Sequence, residues 1–130
     1  TNDSHIAYAA LEAIALSTAD VLEAMAKDLG TELKAIKVDG GASTNATMMQ
    51  LQANIIGCQV IRPAETESTA LGAALLAGLG IGHWKNLDDL KLLLDVDRSF
   101  EPEPLNQKLL RDQWRRAITA CKGWIQNSSH

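Results

Sequence analysis

The residues whose types and spacing could do chemistry lie between Asp39 and Asn45: Asp39-Gly40-Gly41-Ala42-Ser43-Thr44-Asn45. An apolar run ends at Val38, an acid and two glycines follow, and a helix is expected to open near Asn45. Strand, tight turn and helix start is an order that can receive a phosphate or a nucleotide, because bare backbone admits close approach and the first N–H groups of a helix face outward. Gly40 and Gly41 also permit positive φ, so the same pair can be a purely steric turn. Asn45 can cap the helix or turn its amide towards a base. Both readings stay open on these residues alone.

Other reactive side chains carry less. Asp39 has no second carboxylate close by in sequence, so it reads as a turn-former rather than a catalytic acid or base. Ser43 and Thr44 lack a nearby histidine, which argues against nucleophilic catalysis. His5, His83 and His130 have no partners at meaningful spacing, and no Cys or His pair has metal-ligand spacing. Thr66-Glu67-Ser68-Thr69 reads as capping chemistry for a following helix. Trp84, Trp114 and Trp124 read as core or interface anchors.

The elements that must position the turn follow from periodicity and punctuation. Asn2-Asp3-Ser4 offers caps for a long helix whose apolar face would be Ala7, Leu11, Ile14, Val21, Leu22, Met25 and Leu29, ending at Gly30. A strand is expected over about 33–38, β-branched at Ile36 and Val38, with two lysines that place parts of it at a sheet edge. A helix over about 45–56 buries Met48, Met49, Leu51, Ala53, Ile55 and Ile56 and stops at Gly57. A short strand runs over 59–61 and Pro63 closes it. The next helix carries a face of small residues, Ala70, Ala73, Ala74, Ala77 and Gly78, suited to close packing, and dissolves in glycines 78, 80 and 82. Asn86 and Asp89 have the spacing of a capping box before a short helix with Leu87, Leu90, Leu93 and Leu94. Residues 95–104 read as an irregular crossing with two prolines. The last helix, about 105–126, would pack through Leu110, Trp114, Ala117, Ile118, Cys121 and Trp124 or Ile125, before a frayed tail from Asn127 to His130.

This order predicts an α/β fold with parallel strands joined by helical crossovers. Two strands do not make a buried parallel sheet, so the rest of the sheet is expected from residues outside this chain or from another copy. The open strand edges predict a homo-oligomer. With 130 residues the chain is one ordinary domain or a piece of a larger one. Its start at Thr1 leads to the expectation of an excerpt. The 46% apolar content is that of a globular chain, and a net charge of −4 without a basic cluster argues against a nucleic-acid partner. The longest uncharged stretch, 68–84, is too short and too weakly apolar for a membrane span. Cys58 and Cys121 read as free thiols of a reducing, cytoplasmic compartment.

Several segments together resemble one family. They are Val38-Asp39-Gly40-Gly41-Ala42-Ser43, Met49-Gln50-Leu51-Gln52-Ala53-Asn54-Ile55-Ile56-Gly57, Ile61-Arg62-Pro63, Thr66-Glu67-Ser68-Thr69-Ala70-Leu71-Gly72-Ala73-Ala74, and 76–84. Leu11-Glu12-Ala13-Ile14-Ala15 and Trp114-Arg115-Arg116-Ala117-Ile118 fit as well. In collinear order they resemble the C-terminal part of glycerol kinases, members of the FGGY family of carbohydrate kinases. The choice within that family rests on the two-glycine form of the turn and on Met49-Gln50. The resemblance implies an actin-like, ribonuclease-H-like ATPase fold, with residues 1–130 as the later part of the second domain. The first domain and the early strands of the second lie outside the chain. It implies ATP-dependent phosphorylation of glycerol, with a pentulose or another sugar as the alternative acceptor. It implies that Gly40 and Gly41 face the α-phosphate and ribose of ATP or ADP, that Ala42 walls the adenosine, and that Asn45 contacts the adenine. The catalytic aspartate and the holders of Mg²⁺ are expected outside these residues. Ala46 stands where the family often has a second asparagine, and His83 where it usually has an aromatic residue. A non-catalytic interaction module is the reading from a different class.

Overall fold

The computed structural model describes residues 1–65, 67–91 and 93–126. Thr66, the tail 127–130 and the side chain of Ile125, each given a role above, lie outside the described set. Helix α1 spans Asp3–Leu29 and β1 spans Ala35–Lys37. A 3-10 turn over Gly41–Thr44 leads into α2, Ala46–Ile56, and β2 follows at Gln59–Pro63. Then come α3 (Ser68–Gly80), α4 (Leu87–Lys91), β3 (Val96–Phe100) and α5 (Gln107–Gln126).

The sheet order is β1-β2-β3, with β1 parallel to β2 and β3 antiparallel to it. The fold is α/β as expected, but the sheet is mixed rather than parallel. The expected irregular crossing contains a strand. Val96-Asp97-Arg98-Ser99-Phe100 shows no apolar alternation, since only Phe100 of the five is buried. Pairing with β2 sets its conformation: Val60 sits opposite Phe100 and Arg62 opposite Arg98. The segment after it is tied to α2. Gln50 Nε2 donates to the Glu101 carbonyl at 2.7 Å, and the Glu103 N–H donates to Asn54 Oδ1 at 2.9 Å.

Helix α2 is central because two of its sides are apolar. Leu51 and Ile55 pack with Ala15, Leu16 and Ala19 of α1, joined by Leu110 and Trp114 of α5. Met48, Met49 and Ala53 pack with Val60 and Phe100 of the sheet. This inward set matches the expectation for α2. The α1 face differs from it: only Leu11 and Leu22 of the expected set are partly covered, and Ile14, Val21, Met25 and Leu29 are exposed. Ala15 and Ala19 bury instead because small side chains let α1 approach α2 closely.

The caps are largely local, as anticipated. Asn2 Oδ1 accepts the His5 N–H at 3.0 Å and His5 Nδ1 accepts the Asn2 N–H at 3.3 Å, so His5 does have a partner, as half of a capping box. Asn86 caps α4, accepting the Asp89 N–H at 3.1 Å, but the Asp89 carboxylate takes the N–H of Lys85 instead of Asn86, so the expected box is half-formed. Glu67, at the start of α3, makes no side-chain cap of its own, but the Glu65 carboxylate in the polar loop accepts the Glu67 N–H at 2.9 Å. The small-residue face of α3 is also exposed at Ala70, Ala73, Ala74 and Ala77. A tight contact occurs at Gly78, where an added Cβ would lie 1.9 Å from the Trp84 ring. Trp84 is thus an anchor, met edge-on by His83 at 4.8 Å, and Trp114 donates to Asp20 at 2.7 Å. Trp124 is 81% exposed, and Ala117 and Cys121 are exposed too, so α5 packs through Leu110, Trp114 and Ile118.

Candidate functional site

The glycine turn sits where β1 ends and α2 begins. Gly40 has φ 78 and ψ 172, a conformation nearly confined to glycine. Gly41 does not use positive φ, contrary to the expectation for the pair, and an added Cβ there would meet nothing within 4 Å. Backbone conformation therefore demands a glycine at 40, and neither conformation nor packing among the described residues demands one at 41. Gly41, Ala42 and Asn45 are exposed and Gly40 is half-buried.

The turn is held from inside. Ser43 is 2% exposed; its N–H and its hydroxyl both donate to the Gly40 carbonyl, at 3.0 and 2.7 Å. Thr44 Oγ1 donates to the Gly41 carbonyl at 2.7 Å. These hydroxyls stabilise the 3-10 form and are spent on it, consistent with the reading that they are not nucleophiles. Asn45 caps α2: its Oδ1 accepts the Met48 N–H at 3.0 Å. Its amide NH₂ donates to nothing among the described residues and remains available. The Gly41 and Ala42 N–H groups, at the open end of the 3-10 turn, likewise find no acceptor among the described residues.

Two side chains outside the turn reach into it. Asp39 accepts a hydrogen bond from the Ser68 hydroxyl, linking the end of β1 to the start of α3. Arg62, on β2, donates from Nη1 to the carbonyls of Ser43 and Thr44 at 3.1 and 3.2 Å. Sequence reasoning gave Arg62 no role. The available signal was a charged residue two positions after buried Val60, and so on the same, inward face of β2.

Beside the turn, a trough of about 560 Å³ is lined by Met25, Val38, Ala42, Ser43, Met49 and Gln52, among others. Gln52 is 3% exposed and its Nε2 has no partner among the described residues. A similar hollow of about 570 Å³ between α1 and α5 is lined by Arg111 and Arg115, which are already paired with Glu23. Cys58, 5% exposed at the end of α2, has its thiol pushed up by burial, which keeps it protonated and unreactive at neutral pH. No three of His, Cys, Asp or Glu among the described residues come together to hold a metal. None of the described helices is long and apolar enough to cross a membrane.

Helices packed on a small mixed sheet make this an α/β domain, and that arrangement is found in known kinases. Residues 1–81 match the FGGY family of carbohydrate kinases, C-terminal domain, and the chain belongs to that family. The glycerol kinase of Deinococcus radiodurans is 53% identical over 98% of this chain, and that of Borreliella afzelii 50% over 96%. Among solved structures, Plasmodium falciparum glycerol kinase with ADP matches with a TM-score of 0.82 at 34% identity, covering 92% of this chain. Gluconate kinase from Lactobacillus acidophilus matches with a TM-score of 0.74 at 25% identity, again covering 92%. The chain spans about a quarter of these relatives: 26% of either glycerol kinase sequence and 24% and 25% of the two solved chains.

Proposed function

We propose that this chain forms one wall of the ATP/ADP pocket of a kinase that phosphorylates glycerol to glycerol 3-phosphate. Residues 1–130 are then the later part of the second of two domains, acting in a cytoplasmic enzyme. The observation that carries the reading is the contrast at the turn: Gly40 is required by its φ, whereas Gly41 faces open space with ordinary φ. A ligand resting on that backbone gives the second glycine a reason that the fold does not. The resemblance to a glycerol kinase solved with ADP supports nucleotide as the ligand. Gly41 and Ala42 offer unengaged N–H groups suited to a phosphate oxygen or ribose hydroxyl, and the Asn45 amide suits the acceptor atoms of an adenine.

The turn offers donors suited to a nucleotide, and no cluster of His, Cys, Asp or Glu among the described residues suits a resident metal. Mg²⁺, when bound, neutralises phosphate charge during transfer. Its holders and the aspartate that accepts the hydroxyl proton belong, in this proposal, to the remainder of a longer polypeptide. What this chain does is bind, orient and wall off the nucleotide. Glycerol is favoured over a sugar acceptor by the roughly 50% identities to glycerol kinases.

The test is a titration of the isotope-labelled chain with ADP, read at the Gly41 and Asn45 amides. Shifts centred on the turn are expected, and shifts centred elsewhere overturn the assignment. In a coupled assay with ATP, Mg²⁺ and glycerol the chain alone should show no turnover; turnover would overturn the placement of the catalytic groups.

A second reading, association with further protein, is favoured by specific surfaces. The Lys34 carbonyl and the Val38 N–H pair with β2 at 3.3 and 3.1 Å, so the peptide groups of Ala35 and Lys37 between them face a free edge. That edge adjoins the trough holding the unpartnered Gln52 amide and exposed Met25. Protein covering these groups, in a homo-oligomer of the chain or in the longer polypeptide, satisfies them. Light scattering on the 130-residue chain should show dimers or larger species. A monomer at high concentration counts against self-association.

A further inference from the structure

We infer that Arg62 is the positioning residue of the nucleotide turn, holding the junction between the 3-10 turn and α2 so that the glycines and Asn45 face a nucleotide in fixed register. The inference rests on the nucleotide reading above and adds a residue to it, outside the turn and eighteen or nineteen positions later in sequence.

The need for such a residue arises at the junction itself. Where a 3-10 turn hands over to an α-helix, some carbonyls lose their regular partners. The Asn45 N–H goes back to the Ala42 carbonyl, the Met48 N–H goes to the Asn45 side chain, and the Met49 N–H goes to the Asn45 carbonyl. The carbonyls of Ser43 and Thr44 are passed over. The Arg62 guanidinium takes both with one nitrogen, at 3.1 and 3.2 Å. These are the two residues lying between Gly41-Ala42 and Asn45. Fixing their peptide planes fixes the spacing between the phosphate-side backbone and the adenine-side amide.

Arg62 is in turn fixed by two neighbours, the Asp97 carboxylate and the Phe100 ring. The ladder of β2 with β3 pairs Arg62 with Arg98 and Pro63 with Val96, leaving Asp97 as the extra residue of a bulge. A bulge re-aims a side chain, and here it brings the Asp97 carboxylate onto Arg62 Nε and Nη2 at 2.8 and 2.5 Å. The Phe100 ring lies under the guanidinium, 5.5 Å from its centre, and receives Arg98 at 4.7 Å. The Arg62 side chain is only 15% exposed. A planar fork that serves a carboxylate on one edge and carbonyls on the other is a task that lysine cannot perform. The antiparallel strand β3, hidden in the sequence, thereby acquires a purpose: it supplies the counter-ion that orients the arginine that shapes the turn. Arg62 itself does not touch the nucleotide; it lowers the ordering cost of binding.

The test uses the chain with Arg62→Met and Arg62→Lys, ADP as the probe, and hydrogen exchange of the Ser43 and Asn45 amides, whose bonds close the 3-10 turn. Conditions are chosen so that every variant is folded by circular dichroism. We expect Ser43 and Asn45 exchange to accelerate about tenfold or more in both variants, with α1 and the core of α2 unchanged, and ADP affinity to fall by a similar factor. Lysine should fail to rescue. Asp97→Asn should give an intermediate effect, because it frees the guanidinium without removing it. Unchanged exchange at Ser43 and Asn45 in Arg62→Met overturns the positioning role. Should wild-type ADP shifts fall away from the turn, the nucleotide reading fails instead, and the exchange result still decides whether Arg62 shapes the turn.

Discussion

Replacing each glycine of the turn separately by alanine asks whether position 40 is structural and position 41 functional. Gly40 sits at φ 78 and ψ 172, so Gly40→Ala places a side chain in a region essentially reserved for glycine, at a cost of roughly 1–3 kcal/mol. At Gly41 the φ is ordinary and the new methyl meets nothing within 4 Å. Gly41→Ala should therefore be neutral or stabilise by about 0.4–1 kcal/mol, through the reduced freedom of the unfolded chain. The two variants, one residue apart, should diverge in stability by roughly 1–4 kcal/mol, with equal slopes in urea. Binding should rank them the other way. The methyl of Gly41→Ala projects from the face proposed to meet the nucleotide, and ADP affinity should fall about tenfold, or 1.4 kcal/mol. Urea melts followed by circular dichroism, then ADP titrations on folded protein, measure both quantities. If Gly41→Ala is as unstable as Gly40→Ala, the turn geometry is wrong. If it is stable and binds ADP as well as the parent, the second glycine has no ligand to accommodate and the reasoning fails.

Three further outcomes follow from the same structure. Asn45→Ala should cost about 1 kcal/mol as a lost cap, whereas Asn45→Asp keeps an acceptor for the Met48 N–H and removes only the amide donor, so its melt should stay near the parent while its ADP affinity drops. Gly78→Ala should displace Trp84, whose ring would lie 1.9 Å from the new carbon, costing roughly 1–3 kcal/mol and moving the Trp84 indole resonance, while Gly80→Ala, with no neighbour within 4 Å, should do neither. Cys58 carries a thiol raised by burial, so its contribution is intact below the ordinary thiol value of 9.0 and is lost as pH climbs above it, when only the unfolded chain ionises readily. Stability measured from neutral to alkaline pH should decline in that range and decline less in Cys58→Ala, and iodoacetamide on the folded chain should label exposed Cys121 before Cys58.

The sequence by itself determined what depends on a few consecutive residues. Asn2 and Asn45 start α1 and α2, Gly30 and Gly57 end them, and β-branched Ile36 marks β1, because caps, turns and strand preference act over a handful of bonds. The inward residues of α2 were equally readable, since a helix buried on two sides leaves little choice of face. The glycine turn stood out for the same local reason, and the family resemblance came from such segments in order.

Tertiary structure decided what depends on a partner distant in the chain. Residues 96–100 became a strand through the ladder with β2, since a single buried side chain, Phe100, leaves almost no pattern to read. The face of α1 was chosen by α2, against which Ala15 and Ala19 fit more closely than the larger Ile14 or Val21 that periodicity favoured. The bond from Arg62 to Asp97 joins residues thirty-five apart, through a bulge that exists only once two strands have met. Pairing register and side-chain reach are properties of two segments at once, and neither segment carries them alone.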